Sequence, residues 1–281
     1  MEFVRLTAEQ RKSFDEDGFL VVRKVLDAPA IQRATAAGDS LAHAFLNKPE
    51  LLDRFEYNHL DLRPAVVTEK ALLELITHST GVSYMMQLLG PNIHLHSTAL
   101  IYKRPSRPDG PAFRRGWHRD IRIPKDLGHQ FLPRVGIKIC YALTDFHEPN
   151  SGMTLLARGT HMRTAPLVLK KGVVDPEGIE VCDLQLDAGD AFLFDNRLFH
   201  TAAPNVSNRT SKVVMLGYAY RWMKQEVYLE TLDASYFKQQ HPITRQLLGG
   251  YRDIDTPPWA LQQFAKRHGA APEEIPWTVN A

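Results

Sequence analysis

Apolar residues recur at helical spacing through the first third of the chain. Thr7, followed three residues later by Gln10, is the capping-box pattern of a helix start, and Gly18 stands where that helix should end. Apolar residues then repeat every three or four positions in three further segments. These segments are residues 28–45, 69–79 and 81–90. The pattern therefore predicts helices over about residues 1–90.

From about residue 92 the pattern changes to short apolar runs that are broken by Pro, Gly, Asn and Asp. Runs of this kind, rich in β-branched and aromatic residues, are typical of strands. They lie at residues 93–105, 134–146, 152–161, 181–195 and 212–222. We therefore predict one domain that is mainly β with flanking helices. Its β core covers about residues 92–222, and a C-terminal helical or lid segment covers about residues 226–281.

Composition and charge exclude several classes of protein. The 281 residues are 44% hydrophobic and 23% charged, which is usual for a globular protein with a sizeable core. The net charge of +2 gives no reason to expect a nucleic acid or an anionic membrane as partner. No apolar run is long enough to span a bilayer, and two cysteines make no disulfide framework. We expect a cytoplasmic protein with a small-molecule substrate, and the oligomeric state is not predicted.

The segment GWHRDIRIP, residues 116–124, contains the first candidate metal ligands. Residues two apart in a strand point to the same face, so His118 and Asp120 should project side by side. His200 follows a Gly-Asp turn and a short apolar run, 82 residues after His118. Two imidazoles and one carboxylate form the ligand set of non-haem iron(II) sites, which leaves three positions open for small ligands.

Other interpretations of these histidines compete with a metal site. His94 and His96 are also two apart, but no nearby acid completes a ligand set, so packing or a sheet-edge role is favoured. Three more histidines, His129, His147 and His161, lie among turn residues and are interpreted as loop or structural residues. For His118 with Asp120, the alternative is a surface ion pair of Asp120 with Arg119 or Arg122.

Several segments together resemble the phytanoyl-CoA dioxygenase family of Fe(II)/2-oxoglutarate-dependent oxygenases. They occur in that family's order across nearly the whole chain, and they include DGFLVVRKVLD, WHRD, ALTDFHEPNSGMTLLARGTH and AGDAFLFDNRLFHTAAPNVSN. The resemblance implies a double-stranded β-helix (jelly-roll, cupin-like) core and Fe(2+) held by His118, Asp120 and His200. It also implies 2-oxoglutarate and O2 as cosubstrates. Related halogenases lack the carboxylate, so Asp120 implies oxygenation, most simply hydroxylation.

The chain departs from this family at the residue that binds the far carboxylate of 2-oxoglutarate. The family's arginine lies eleven residues after the distal histidine, and Ser211 occupies that position here. The nearest cations are Arg209 and Lys212. We predict Arg209 as the anchor, with Lys212 next and Arg221 behind them, because an arginine fork suits a carboxylate best.

The substrate is less well defined by the sequence. Basic residues crowd the segment around the first ligands, which fits either a solvated face or contacts with a carboxylated lipid or secondary metabolite. The candidate substrate contacts are Lys103, Trp117, Arg119, Arg122 and Trp222. Two other function classes stay open: a metal-dependent barrel enzyme that does not use 2-oxoglutarate, and a binding module without turnover.

Overall fold

The computed structural model of the chain describes residues 3–46, 59–63, 65–106, 115–121, 131–225, 232–251 and 259–277. Within these ranges, helices alternate with two short strands in the first third of the chain, and further helices follow the last strand. The helices are α1 (Ala8–Asp17), α2 (Ala28–Leu46), α3 (Ala65–Thr68), α4 (Lys70–Ile76), α5 (Ser79–Leu89), α6 (Ala234–Gln239), α7 (Pro242–Leu247) and α8 (Trp259–His268). The strands are β1 (Phe19–Val22), β2 (His59–Leu62), β3 (Ile93–Lys103), β4 (Gly136–Ala142), β5 (Thr154–Ala157), β6 (Val181–Asp183), β7 (Ala191–Asp195), β8 (His200–Ala202) and β9 (Ser211–Tyr220).

The first helix begins and ends as its sequence predicts. The Gln10 backbone N–H donates to Thr7 Oγ1 at 3.1 Å, and the Thr7 N–H donates to Gln10 Oε1 at 2.9 Å. Gly18 takes the left-handed conformation, with φ 83°, and its N–H donates to the carbonyl of Phe14. These contacts satisfy backbone groups that a helix end otherwise leaves without partners.

Two antiparallel sheets form the β core. The larger has the strand order β1-β7-β4-β9-β3-β2, and the smaller has the order β6-β5-β8. Neighbours in both sheets are antiparallel throughout. The fold is a double-stranded β-helix with flanking helices, which confirms the fold class expected from the sequence.

Side-chain alternation divides the apolar residues of the larger sheet between two clusters. In β4, Ile137, Ile139 and Tyr141 join a cluster shared with the helices. Cys140 and Ala142, on the opposite face, join a second cluster with residues of the smaller sheet. The sheet therefore has one face under the helices and one face toward the interior of the β-helix. Cys140 is a free thiol in this interior.

The C-terminal helices contribute to the first of these clusters. Ile243 and Leu247 of α7 and Phe264 of α8 are each at most 1% exposed within it. Burying such side chains contributes about 1.5–3 kcal/mol each. No helix among the described residues combines the length and the apolar character that crossing a bilayer requires.

Candidate metal centre

His118 and His200 lie side by side because their backbones are paired. The His118 N–H donates to the His200 carbonyl at 3.0 Å, and the His200 N–H donates to the His118 carbonyl at 2.8 Å. This isolated antiparallel bridge adds residue 118 to the edge of the smaller sheet beside β8. The two rings have their centroids 4.3 Å apart. Histidines 82 residues apart in sequence are thus brought to one point.

Asp120 reaches the same point by a route that differs from the prediction. The stretch around it is not a regular strand, because after His118 the chain turns away from β8. The Asp120 N–H donates instead to the Asn196 carbonyl at 2.9 Å, and the Ile121 N–H donates to the same oxygen at 3.2 Å. One ligand atom from each of His118, Asp120 and His200 nevertheless lies within 4.8 Å of the other two.

A buried ion-pair network holds the turn that carries Asn196. Asp195 is fully buried and accepts hydrogen bonds from Arg197 Nη2 at 2.7 Å and from Arg134 Nε at 2.8 Å. Burial acts to raise the pKa of Asp195, but the two guanidinium groups outweigh it and the pKa is lowered. This network fixes the connection between β7 and β8, and with it the positions of Asn196 and His200.

Both histidine rings are oriented for metal binding. His118 Nδ1 lies 2.7 Å from the Gly116 carbonyl, and His200 Nδ1 lies 2.9 Å from the Leu198 carbonyl. A carbonyl oxygen only accepts hydrogen bonds, so Nδ1 carries the proton in each neutral ring and Nε2 keeps its lone pair. His200 Nε2 lies 3.8 Å from Asp120 Oδ2.

Charge and burial favour the protonation states that a metal ion needs. Burial lowers the pKa of His200 to about 4, so this imidazole is neutral at pH 7. For Asp120, burial acts to raise the pKa, but the neighbouring His200 and Lys138 outweigh it and the pKa is lowered. Lys138 Nζ lies 3.0 Å from Asp120 Oδ2. In this geometry the lysine supplies the cation that faces the carboxylate.

The donor set and its surroundings fit Fe(II). Two imidazole nitrogens and one carboxylate suit this ion and leave coordination positions for small ligands. Asp120 Oδ2 is buried and makes no well-directed hydrogen bond, although the Lys138 ammonium is close to it. A buried carboxylate oxygen of this kind is suited to coordinate a cation. A second cluster, Asp145, His147 and Asp187, has its histidine and one aspartate exposed.

Two cavities adjoin the three candidate ligands. A cavity of about 150 Å³ is lined by both histidines, with Ile101, Thr154 and Ala202 among its other walls. We call it the inner cavity. A larger one of about 550 Å³, the outer cavity, is lined by Asp120 and by the aromatic residues Tyr218 and Trp222. Lys138 lines both cavities. The candidate metal centre thus lies between a small chamber and a larger one.

The predicted substrate residues are dispersed in the structure. Trp222, 61% exposed, lines the outer cavity and stacks on Tyr220. Trp117 Nε1 donates to the Val174 carbonyl, and the Arg119 guanidinium donates to the carbonyls of residues 163 and 164. Lys103 is buried, and Arg122 lies outside the described residues. Trp222 is therefore the member of this set that the structure brings to a cavity beside the centre.

Lys212 and Arg209, the first two predicted anchors for 2-oxoglutarate, pair with aspartates away from the candidate metal centre. Lys212 donates to Asp39 of α2 at 2.6 Å, and Arg209 binds Asp145 at 3.2 Å. Both cations line a cavity of about 500 Å³ that shares no lining residue with the inner cavity. The structure does not bring Lys212 or Arg209 to the candidate metal centre. Ser211 points to the interior, since neighbouring residues of a strand face opposite ways.

The last of the predicted anchors, Arg221, lies beyond the end of β9. Its backbone N–H donates to the Asn92 carbonyl at 3.1 Å, and its guanidinium donates to the Tyr251 carbonyl at 3.2 Å. It lines neither the inner nor the outer cavity. Arg221 therefore lies at the opposite end of β9 from Ser211.

Sequence reasoning missed the lysine that faces Asp120. Lys138 is flanked by Ile137 and Ile139 in a strand that is otherwise apolar. A lone cation in such a run is rarely buried without a partner, so it was a usable signal. The side chain that it pairs with could not be read from the sequence, because the partner lies on a different segment.

Comparisons with known proteins agree with this geometry. The family model described as phytanoyl-CoA dioxygenase (PhyH) matches residues 14–213. An ectoine dioxygenase of Nocardia farcinica is 26% identical over 226 residues, which cover 71% of this chain and 73% of the relative.

Two solved structures share the fold. One is the carbocyclase SnoK from nogalamycin biosynthesis, with TM-score 0.60, 18% identity, and coverage of 81% of this chain and 91% of that one. The other is HygX from Streptomyces hygroscopicus with nickel and 2-oxoglutarate bound. It has TM-score 0.61, 15% identity, and coverage of 78% of this chain and 89% of that one.

Proposed function

The chain belongs to the phytanoyl-CoA dioxygenase family, and on that premise we propose that it is an Fe(II)/2-oxoglutarate-dependent oxygenase that hydroxylates an unactivated C–H bond. In our proposal His118, Asp120 and His200 hold the iron. The substrate is a small carboxylated lipid or secondary metabolite. The overall reaction converts substrate, 2-oxoglutarate and O2 into hydroxylated substrate, succinate and CO2.

One observation carries the proposal. Three side chains of the right chemistry present ligand atoms within 4.8 Å of one another, at the junction of two cavities. Three protein ligands leave room for a bidentate 2-oxo acid and for dioxygen. When bound, the iron supplies the oxidation of the C–H bond, coupled to the oxidative decarboxylation of 2-oxoglutarate. The family membership supports the same chemistry.

The protein's own residues orient the metal ligands and line the space beside them. The carbonyls of Gly116 and Leu198 fix the imidazole rings so that Nε2 faces the metal position. Lys138 Nζ, 3.0 Å from Asp120 Oδ2, helps to orient this carboxylate. Ile101 and Met215 form an apolar part of the inner cavity's wall.

The outer cavity supports a substrate of moderate size. Its volume of about 550 Å³ is within the range of small-molecule sites, which is roughly 300–1,000 Å³. Tyr218 and Trp222 supply aromatic walls, and Lys138 supplies a cation at the metal end. A molecule with an apolar body and a carboxylate matches these walls. The inner cavity, at about 150 Å³, is of a size for the smaller 2-oxo acid.

Succinate release tests the proposal. Iron-loaded protein is incubated with 2-oxoglutarate, oxygen and a panel of carboxylated small molecules, and succinate and hydroxylated product are measured together. We expect equimolar succinate and product for at least one compound, and neither from the His118→Ala variant. Product that forms equally well without 2-oxoglutarate would contradict the proposal, and would favour a barrel enzyme of another metal-dependent class.

A further inference from the structure

Lys103 is a cation in the interior of the β-helix. The residue is 4% exposed, and Nζ donates to the Ala203 carbonyl at 2.6 Å and to the Gly152 carbonyl at 3.1 Å. Burial lowers the pKa of Lys103 to about 8, with the charge of Asp183 offsetting part of this effect, so the side chain is mainly protonated at pH 7. Water screens a charge in such an interior only weakly, so the ammonium attracts a carboxylate that approaches it strongly.

The position of Lys103 relates it to the inner cavity. It lies two residues beyond Ile101 in β3, and residues two apart share a face of the strand, so its side chain follows the same wall. Its carbonyl partner Ala203 comes directly after Ala202, which lines the cavity and pairs with Thr154. The ammonium is therefore next to the end of the cavity that lies away from the histidines.

The spacing along β8 suits a short dicarboxylate. His200 and Ala202 are two residues apart, about 6.6 Å along a strand. A five-carbon chain that starts at the metal position and runs along β8 brings its far carboxylate to the level of Ala202. The Lys103 ammonium is one step further in the same direction.

Lys103 lies opposite the position in β9 where the family has its arginine and this chain has Ser211. In the sheet, Lys103 is directly opposite Ser211, so the two side chains leave neighbouring strands on the same face. Ser211 is small, and Gly152, with φ 97°, approaches it so closely that a Cβ at residue 152 would collide with the serine hydroxyl. A long side chain from position 211 has little space here, whereas one from position 103 is accommodated.

We infer that Lys103 is the residue that binds the far carboxylate of 2-oxoglutarate. The inference rests on the proposed function and names the positioning cation of that site. It replaces Arg209 and Lys212, whose guanidinium and ammonium groups bind Asp145 and Asp39 at a separate cavity. Lys103 acts on the cosubstrate alone, because its ammonium contacts the far end of the molecule from the reacting carbons.

Binding of two keto acids to the nickel-loaded protein tests this inference without turnover. The ligands are 2-oxoglutarate and 2-oxopentanoate, which has the same five carbons and lacks the far carboxylate. Titration calorimetry is performed on the wild type, Lys103→Met and Lys103→Gln. The exposed Lys170, paired with Glu177, gives the matched control Lys170→Met. Binding of 2-oxopentanoate verifies in each variant that the metal site is intact.

We expect Lys103→Met to weaken 2-oxoglutarate binding by at least about 30-fold, the usual effect of removing one partner of a shielded charge pair. Binding of 2-oxopentanoate should change by less than about threefold, because that ligand has no group for the lysine to bind. Lys103→Gln, which keeps a donor for the carbonyls, should likewise lose the preference for 2-oxoglutarate over 2-oxopentanoate.

Several results would overturn the inference. Equal weakening of both keto acids, or unfolding of every Lys103 variant, would make Lys103 a structural residue of the β-helix. Unchanged 2-oxoglutarate affinity in Lys103→Met, or a large loss in Arg209→Ala instead, would locate the anchor elsewhere while leaving the proposed function intact. If the nickel-loaded wild type bound neither keto acid, the proposed function itself would fail.

Discussion

Replacing Lys138 with methionine should tighten metal binding even though it destabilises the metal-free protein. In the structure the Lys138 ammonium lies 3.0 Å from Asp120 Oδ2 and balances the charge of that carboxylate. A divalent ion at the same carboxylate has to displace the ammonium or bind against its repulsion. Methionine keeps much of the apolar stem that packs in β4 and removes the charge.

The magnitude follows from the distance and the exposure of the pair. Two unit charges 3.0 Å apart interact by roughly 5–6 kcal/mol at an effective dielectric constant of about 20. The two side chains are 20% and 25% exposed, so solvent screening reduces the net effect, and we take about 1–2 kcal/mol. At about 1.4 kcal/mol per decade, the metal dissociation constant should fall by about 5- to 30-fold.

Competition with a chromogenic chelator measures this dissociation constant, and urea unfolding measures the stability of the metal-free protein. Lys170→Met, which removes an exposed lysine paired with Glu177, should change neither quantity. Weaker metal binding by Lys138→Met would refute the reasoning. It would mean that the lysine is needed to orient Asp120 in the metal-bound protein as well.

Three further predictions concern acid stability, reaction type and substrate binding. Burial lowers the pKa values of His59, His94 and His200 to about 4, 3 and 4, while the unfolded chain takes up these protons near pH 6.5. Unfolding midpoints in urea should therefore fall as the pH drops from about 6.5 to 4, and a flat profile there would contradict the burial of these rings. Asp120→Gly should abolish hydroxylation, and bound chloride at the metal, observed by X-ray absorption, would agree with a vacated carboxylate position; full activity would exclude Asp120 as a ligand. In steady-state kinetics, Trp222→Ala should raise the substrate concentration needed for half-maximal rate several-fold and leave the 2-oxoglutarate concentration needed for half-maximal rate unchanged. Equal increases in both concentrations would show that Trp222 does not bind the substrate in the outer cavity.

The helices and strands were readable from the sequence because local patterns determine them. The capping box at Thr7 and Gln10 and the apolar run before His200 each identify an element by its own residues. The meeting of His118 with His200 was predictable for a related reason. The pair His118 and Asp120, two residues apart, and His200 after a short apolar run each stand out within their own segment.

The cosubstrate residues could not be assigned in the same way. Whether a cation points into the β-helix or out of it depends on strand register, and a shift of one residue reverses the face. Lys212 is one residue from Ser211, and this difference places it under α2 rather than in the interior. Arg209 lies in the loop before β9, and its orientation depends on Asp145, 64 residues away.

Metal titration of single variants tests the central claim, that His118, Asp120 and His200 form one metal centre. Calorimetry with Fe(II) under anaerobic conditions should give one ion per chain for the wild type and no measurable binding for His118→Ala or His200→Ala. His147→Ala is the matched control, because His147 belongs to the second, more exposed cluster with Asp145 and Asp187, and it should bind like the wild type. Loss of the ion in His147→Ala, with wild-type binding retained in His118→Ala and His200→Ala, would contradict the account.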